Sequence, residues 1–272
     1  MGLAYQRLGT GAPLVLLHGI GHRRQAWDAV LPLLAPEREL IPVDLPGHGE
    51  SPPLAADGRS VSRTLIEEVV GLLDDLKLER PHVAGCSLGG LLALEIAASG
   101  RAASVTALSP AGFWTRIGEL RYAIAVNKVM QSAGRLVEPI GPVLSRSTPG
   151  RALIYALVVA KPSHVTPEQA RGDMASFLAS SSAMNVILAA AVPFADSIPA
   201  EVAVTIGWGT RDHLLLPRQA QVAMARLPQA QLVPLPGCGH VPMTDNPQLV
   251  ADVLLRGSQA EGRLPASELA PL

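Results

Sequence analysis

Cysteine is scarce in this chain: Cys86 and Cys238 are the only two among 272 residues. A secreted domain held by disulfides is far richer, so the pair reads as two free thiols in a reducing compartment and the chain as cytoplasmic. Aromatic residues make up only 3%, which argues against an aromatic-lined pocket. Neither sign of charge dominates, the formal net charge being −1. No basic excess draws in nucleic acid, and no run of like charge marks an interaction tail. Long apolar runs are missing too. Pro13 to Leu17 and the stretch near Val186 to Pro193 both fall short of the about 20 apolar residues that span a bilayer. The N-terminus also lacks the layout of an export signal. No metal-ligand spacing occurs, and Gly47-His48-Gly49 lacks the full G-x-G-x-x-G pattern, so no cofactor is expected. The expected partner is a small-molecule substrate, neutral or apolar, met by a monomer or a small homo-oligomer.

What is present is ample core material: 48% hydrophobic against 17% charged residues, which excludes global disorder. Strand-like and helix-like segments alternate. Leu14 to Leu17 is a continuous apolar run, as in a strand buried on both faces. Arg24 to Leu34 reads as a short helix and Glu39 to Val43 as a strand. Ser60 to Leu76 is the clearest helix, with Val61, Leu65, Ile66, Val69, Val70, Leu73 and Leu76 at helical spacing and Ser60 as its cap. His82 to Ala84, Leu88 to Ala98 and Val105 to Leu108 continue as strand, helix, strand. Such alternation implies βαβ units, hence an α/β fold with a mostly parallel sheet flanked by helices.

From Trp114 to Ile198 the pattern turns helical only, over about 80 residues. Leu120 to Met130, Arg151 to Ala160 and Gln169 to Ala191 read as helices. The alternation resumes with Glu201 to Ile206, Pro217 to Arg226, Gln231 to Leu235 and Pro247 to Leu255. The expected division is a core of residues 1–113 and 199–260, a helical insertion at 114–198, and a fraying tail at 261–272. The first strand-like segment is Leu3 to Arg7.

Gly85-Cys86-Ser87-Leu88-Gly89 fits G-x-S-x-G at a strand-to-helix turn, the setting that gives this motif its meaning. There Ser87 is a nucleophile; the bland alternative is a helix-capping serine in a glycine turn. Gly85 and Gly89 are small because the turn is sharp. A serine hydroxyl needs a base within reach. His240, in the loop Pro236 to Pro242 after the last strand, is the candidate. The base needs an orienting acid. Asp212 follows a strand, and Asp196 is a weaker rival at the edge of the insertion. The chain order Ser87, Asp212, His240 is the one such folds use. Two backbone N–H groups would hold an oxyanion: Leu88, at the helix start, and Ile20, in the loop His18 to His22. His18 reads as structural. His22, Trp114 and Val241 are candidates to line the pocket.

Together these residues resemble the α/β-hydrolase fold family, in its capped serine esterase, lipase and haloperoxidase-like branch. The resemblance runs from Leu14 to Pro242 and rests on His18-Gly19 with Trp27, the loop Asp44 to Ser51, the serine elbow, and the Asp212 and His240 loops. It implies a Ser87–His240–Asp212 triad, a structural role for the loop Asp44 to Ser51 beside the pocket, and a cap formed by the insertion. Related chains usually begin one strand earlier, so an edge strand is expected to be missing or to lie upstream. A serine at the elbow excludes relatives that use aspartate there. The apolar residues of the insertion, among them Val129, Met130, Ile154, Leu157 and Phe177, imply a hydrophobic acyl or alkyl group in the pocket. Arg116, Arg121, Asn127 and Lys128 are candidates for a polar head group, with none singled out.

The function expected is therefore hydrolysis of a small, fairly hydrophobic carboxylic ester or related acyl compound through an acyl-enzyme. The same triad also serves C–C bond, lactone or amide hydrolysis and cofactor-free perhydrolysis. A binding protein with a vestigial site is the non-enzymatic alternative.

Overall fold

A computed structural model describes residues 2–55 and 58–259 of the chain. The tail expected at 261–272 lies outside the described residues. Among the described residues seven strands form one sheet: β1 (Leu8–Gly9), β2 (Ala12–Leu17), β3 (Arg38–Val43), β4 (His82–Cys86), β5 (Ser104–Leu108), β6 (Ala203–Gly209) and β7 (Gln231–Leu235). Their order is β1-β3-β2-β4-β5-β6-β7. Only β1 runs antiparallel, Leu8 opposing Leu40; the other pairings are parallel. The segment read as a first strand at Leu3 to Arg7 reduces to one bridge, Tyr5 with Val43, before β1. It still screens β3, through Gln6 N–H to the Pro42 carbonyl at 3.1 Å and Asp44 N–H to the Ala4 carbonyl at 2.8 Å.

The strands are apolar on both faces because both faces are covered. Along β2, Val15 and Leu17 pack into one core and Leu14 and Leu16 into the other. The first core is closed by α2 (Val61–Asp75), α3 (Leu88–Ala98) and α9 (Gln219–Arg226). The second is closed by a 3₁₀ turn (Arg24–Trp27), α1 (Leu31–Leu34) and α10 (Pro247–Gly257). The single helix expected at Arg24 to Leu34 is thus split in two. Pro32, in the first turn of α1, has no N–H to continue a helix from the preceding turn. Ser60 caps α2 as expected, its hydroxyl accepting from Arg63 N–H at 3.3 Å.

Five helices lie between β5 and β6: α4 (Ile117–Val137), α5 (Gly141–Arg146), α6 (Thr148–Tyr155), α7 (Pro167–Ala179) and α8 (Ser181–Ala189). Helix α4 is longer at both ends than the expected Leu120 to Met130. Helix α6 is shifted toward the N-terminus, because Ser147 caps it by accepting from Gly150 N–H at 3.1 Å. The helix expected from Gln169 to Ala191 breaks at Ser180, which ends α7 and begins α8. The serines there bond backwards onto the main chain, Ser180 Oγ to the Ser176 carbonyl at 2.8 Å and Ser181 Oγ to the Leu178 carbonyl at 2.6 Å. Such bonds compete with regular helix.

The connections place the site. From β2 the chain moves outward to β3, then crosses back to lay β4 on the other side of β2. Loops leaving the carboxyl ends of β2 and β4 flank that reversal, where open parallel sheets leave a crevice. Gly19 to His22 follow β2 and Ser87 follows β4. Asp212 and the His240 loop follow β6 and β7 at the same edge.

Candidate active site

Ser87 sits between β4 and α3 with φ 56° and ψ −115°. A non-glycine residue in this region carries strain of order 1–3 kcal/mol and is held there by its surroundings. Here the holding is visible. Ser87 N–H donates to the Leu108 carbonyl at 2.9 Å, and its own carbonyl accepts from Leu91 N–H at 3.0 Å and Ala111 N–H at 3.1 Å. The flanking glycines are required by close approach. A Cβ on Gly85 would meet the Gly89 carbonyl oxygen at 2.0 Å, and one on Gly89 would meet the Leu17 carbonyl oxygen at 2.1 Å.

The loop after β2 lies against the serine: a Cβ on Gly19 would stand 3.2 Å from Ser87 Cβ and 3.9 Å from its Oγ. His18 is fully buried and ties this loop to the next one. Its Nε2 accepts from Leu45 N–H at 3.0 Å, which leaves Nδ1–H to donate to the Gly19 carbonyl at 2.8 Å. Burial holds its pKa well below the usual histidine value. The structural reading of His18 agrees with this geometry. The loop after β3 is braced by Asp44, whose carboxylate accepts from Arg24 N–H at 2.6 Å and Glu50 N–H at 3.0 Å and pairs with the Arg24 guanidinium.

Asp212 and His240 meet. His240 Nδ1 lies 2.7 Å from Asp212 Oδ2. The other oxygen, Oδ1, accepts from Leu214 and Leu215 N–H, each at 2.9 Å. The carboxylate is therefore fixed from both sides and out of solvent. Asp196, the weaker rival, is exposed on the segment before β6.

A cavity of about 350 Å³ brings the predicted residues together: Ile20, His22, Ser87, His240 and Val241 all line it. Helices α4, α6 and α7 line it with Val129, Met130, Ile154 and Phe177. Leu88 and Trp114 line a second, narrower space that also includes Ser87 and Ile20. Asn127 alone of the four polar candidates in α4 and before it faces these spaces. The walls are mainly aliphatic, as the low aromatic content implies, with Tyr155, Phe177 and Trp114 as exceptions.

Three polar features here have no signature in the sequence. Tyr155 OH donates to Asp173 Oδ2 at 2.7 Å on the cavity wall, and His22 Nε2 stands 3.8 Å from the same oxygen. Asp245, fully buried, accepts from Gly239 N–H at 2.7 Å, Ala160 N–H at 3.1 Å and Lys161 N–H at 2.6 Å. It thereby clamps the loop leading to His240 against the segment after α6, helped by Val241 N–H to the Val158 carbonyl at 2.9 Å. Cys86 Sγ donates to the His240 carbonyl at 3.3 Å. Burial pushes the Cys86 thiol up, and that of Cys238 up to about 11, so both stay protonated and unreactive near neutrality. Among the described residues no group of three or more His, Cys, Asp or Glu is placed to hold a metal ion. Nor is any helix long and apolar enough to cross a membrane.

Residues 14–253 match the model of the alpha/beta hydrolase family. The chain belongs to that family. It is similar to the dihydrolipoyllysine-residue acetyltransferase component of the acetoin cleaving system of Pseudomonas putida, 31% identical over 85% of this chain and 59% of that protein. The chain thus spans well under two thirds of that relative. It is 27% identical to lipase 1 of Psychrobacter immobilis over 89% of this chain and 75% of the lipase. Among solved structures, a thermophilic esterase from Thermogutta terrifontis superposes with a TM-score of 0.69 at 22% identity, covering 93% of this chain and 91% of the esterase. The last of these speaks for the fold.

Proposed function

We propose that the chain is a serine hydrolase that cleaves a small, fairly hydrophobic carboxylic ester or related acyl compound. The observation that carries this reading is the buried 2.7 Å contact of His240 with Asp212, on the wall of a largely apolar cavity that Ser87 shares. Ser87 Oγ attacks the ester carbonyl carbon while His240 takes its proton. Asp212 holds the imidazole in the tautomer that keeps Nε2 free to do so, and stabilises the imidazolium. The carbonyl oxygen, now negative, is met by the N–H groups of Leu88 and Ile20. Each such donor is worth roughly 3–4 kcal/mol of barrier. His240 returns the proton to the leaving alkoxide, the alcohol departs, and the acyl group stays on Ser87. Water, deprotonated by His240, then attacks the acyl-enzyme and releases the acid.

The insertion acts as a cap in this reading, and its apolar underside supports a hydrophobic acyl or alkyl group. Ser87→Ala, assayed on short- and medium-chain p-nitrophenyl esters, is expected to lose activity by a factor of roughly 10⁴ or more. Full activity in that variant overturns the proposal.

A further inference from the structure

The space around Ser87 has two branches. His240 lines the larger one. The narrower branch, of about 80 Å³, follows one face of α3: Leu88, Leu91, Leu92 and Glu95 recur at three- and four-residue spacing along it. Ser87 and Ile20 belong to both. If the proposed reaction holds, His240 delivers its proton to the leaving oxygen, so the alcohol lies in the branch that His240 lines. The acyl chain is left with the narrower branch.

That branch is mainly aliphatic, with Ser62, Trp114 and Asn127 also on its wall, and it includes Glu95. From Ser87 to Glu95 the helix advances about 12 Å at 1.5 Å per residue. The Glu95 carboxylate accepts from Ser62 Oγ, contributed by α2, at 3.2 Å. Among the described residues no Arg or Lys pairs with it, while Asp196 adds a like charge from the segment after α8. Burial and that charge push its carboxyl up to about 7. A half-buried carboxyl served by one hydroxyl has acceptor capacity to spare for a ligand. On the same wall Trp114 Nε1–H is buried with no hydrogen-bond partner.

We propose that Glu95, with Ser62, reads the far end of the acyl chain, and that the branch along α3 selects unbranched acyl groups carrying a hydroxyl or other hydrogen-bond donor at that end. The inference rests on the ester-hydrolase reading and deepens it. Glu95 is a specificity residue here and takes no part in bond breaking.

The test compares p-nitrophenyl 8-hydroxyoctanoate with p-nitrophenyl octanoate on the full chain. The hydroxy ester is expected to be preferred about tenfold in kcat/KM, the scale of one net hydrogen bond. In Glu95→Leu the ratio collapses toward one or inverts. In Glu95→Gln, which keeps an acceptor oxygen and the same shape, part of the preference remains. Both variants are checked for folding by thermal melting. A p-nitrophenyl 8-aminooctanoate arm separates a hydroxyl from an ammonium: preference for the amine that grows as pH rises through 7 assigns the donor as a cation. Equal ratios in the parent and Glu95→Leu, or a parent that prefers plain octanoate, overturn the inference while the ester reading stands. No turnover of any of these esters brings down both.

Discussion

His240 and Asp212 come from loops that follow different strands, yet Nδ1 and Oδ2 stand 2.7 Å apart and out of solvent. Two backbone N–H groups hold the far oxygen of Asp212, so the carboxylate cannot turn away. Asp212→Asn keeps the shape and puts an NH2 donor where Oδ2 accepted from His240 Nδ1–H, so the acceptor that defines the imidazole tautomer is lost. We expect kcat to fall by roughly 10³ to 10⁴ with a melting temperature close to that of the parent. A variant with most of its ester activity would show that Asp212 is not the orienting acid.

Asp245 gives a second, separable expectation. Its carboxylate gathers three N–H donors, from Gly239, Ala160 and Lys161. Removing a buried acceptor leaves donors unsatisfied, at about 1–3 kcal/mol each. Asp245→Ala is expected to lower the melting temperature and to reduce kcat more than it raises KM, because the His240 loop loses its clamp. Hydrogen exchange at Gly239 to Val241 should quicken in parallel. Unchanged exchange there would assign Asp245 to global stability alone.

Stability should depend on pH through His18. The usual histidine value is 6.5, and burial lowers it well below that in the folded chain. Below 6.5 the unfolded chain binds a proton that the folded chain refuses. Stability is therefore full above that value and falls as pH drops toward the lowered folded one, by about 1.4 kcal/mol per unit at most. His48, also buried and with its ring centroid 5.4 Å from that of His18, acts in the same direction. Glu95 acts oppositely. Raised from 4.5 to about 7, its contribution weakens as pH rises through that interval. The decisive quantity is thus the difference between His18→Gln and the parent in denaturant melts at pH 7 and ~5. The variant should lose less stability on acidification. Parallel losses would show that His18 does not resist protonation.

Much of this architecture was legible because it is local. The run Leu14 to Leu17, the helix Ser60 to Leu76 and the elbow around Ser87 each carry their own pattern within a few residues. The order Ser87, Asp212, His240 then needed only strand ends to place it. What escaped reading depends on distant partners or on competing local bonds. Asp245 meets Ala160 across 85 positions, and Glu95 meets Ser62 across 33. Neither pairing leaves a periodicity to find. Ser180 breaks a helix that apolar spacing alone would continue, because its hydroxyl has a main-chain partner at Ser176. The strand expected at Leu3 to Arg7 became a single bridge at Tyr5, the ladder forming at Leu8–Gly9.

Ser87 is the proposed nucleophile. A fluorophosphonate probe reacts with an activated serine and can be located by peptide mass. We expect one modified peptide, carrying the label on Ser87, with labelling abolished in Ser87→Ala and strongly slowed in His240→Ala. A folded protein that takes no label, or takes it at another serine with Ser87→Ala labelled like the parent, would contradict it.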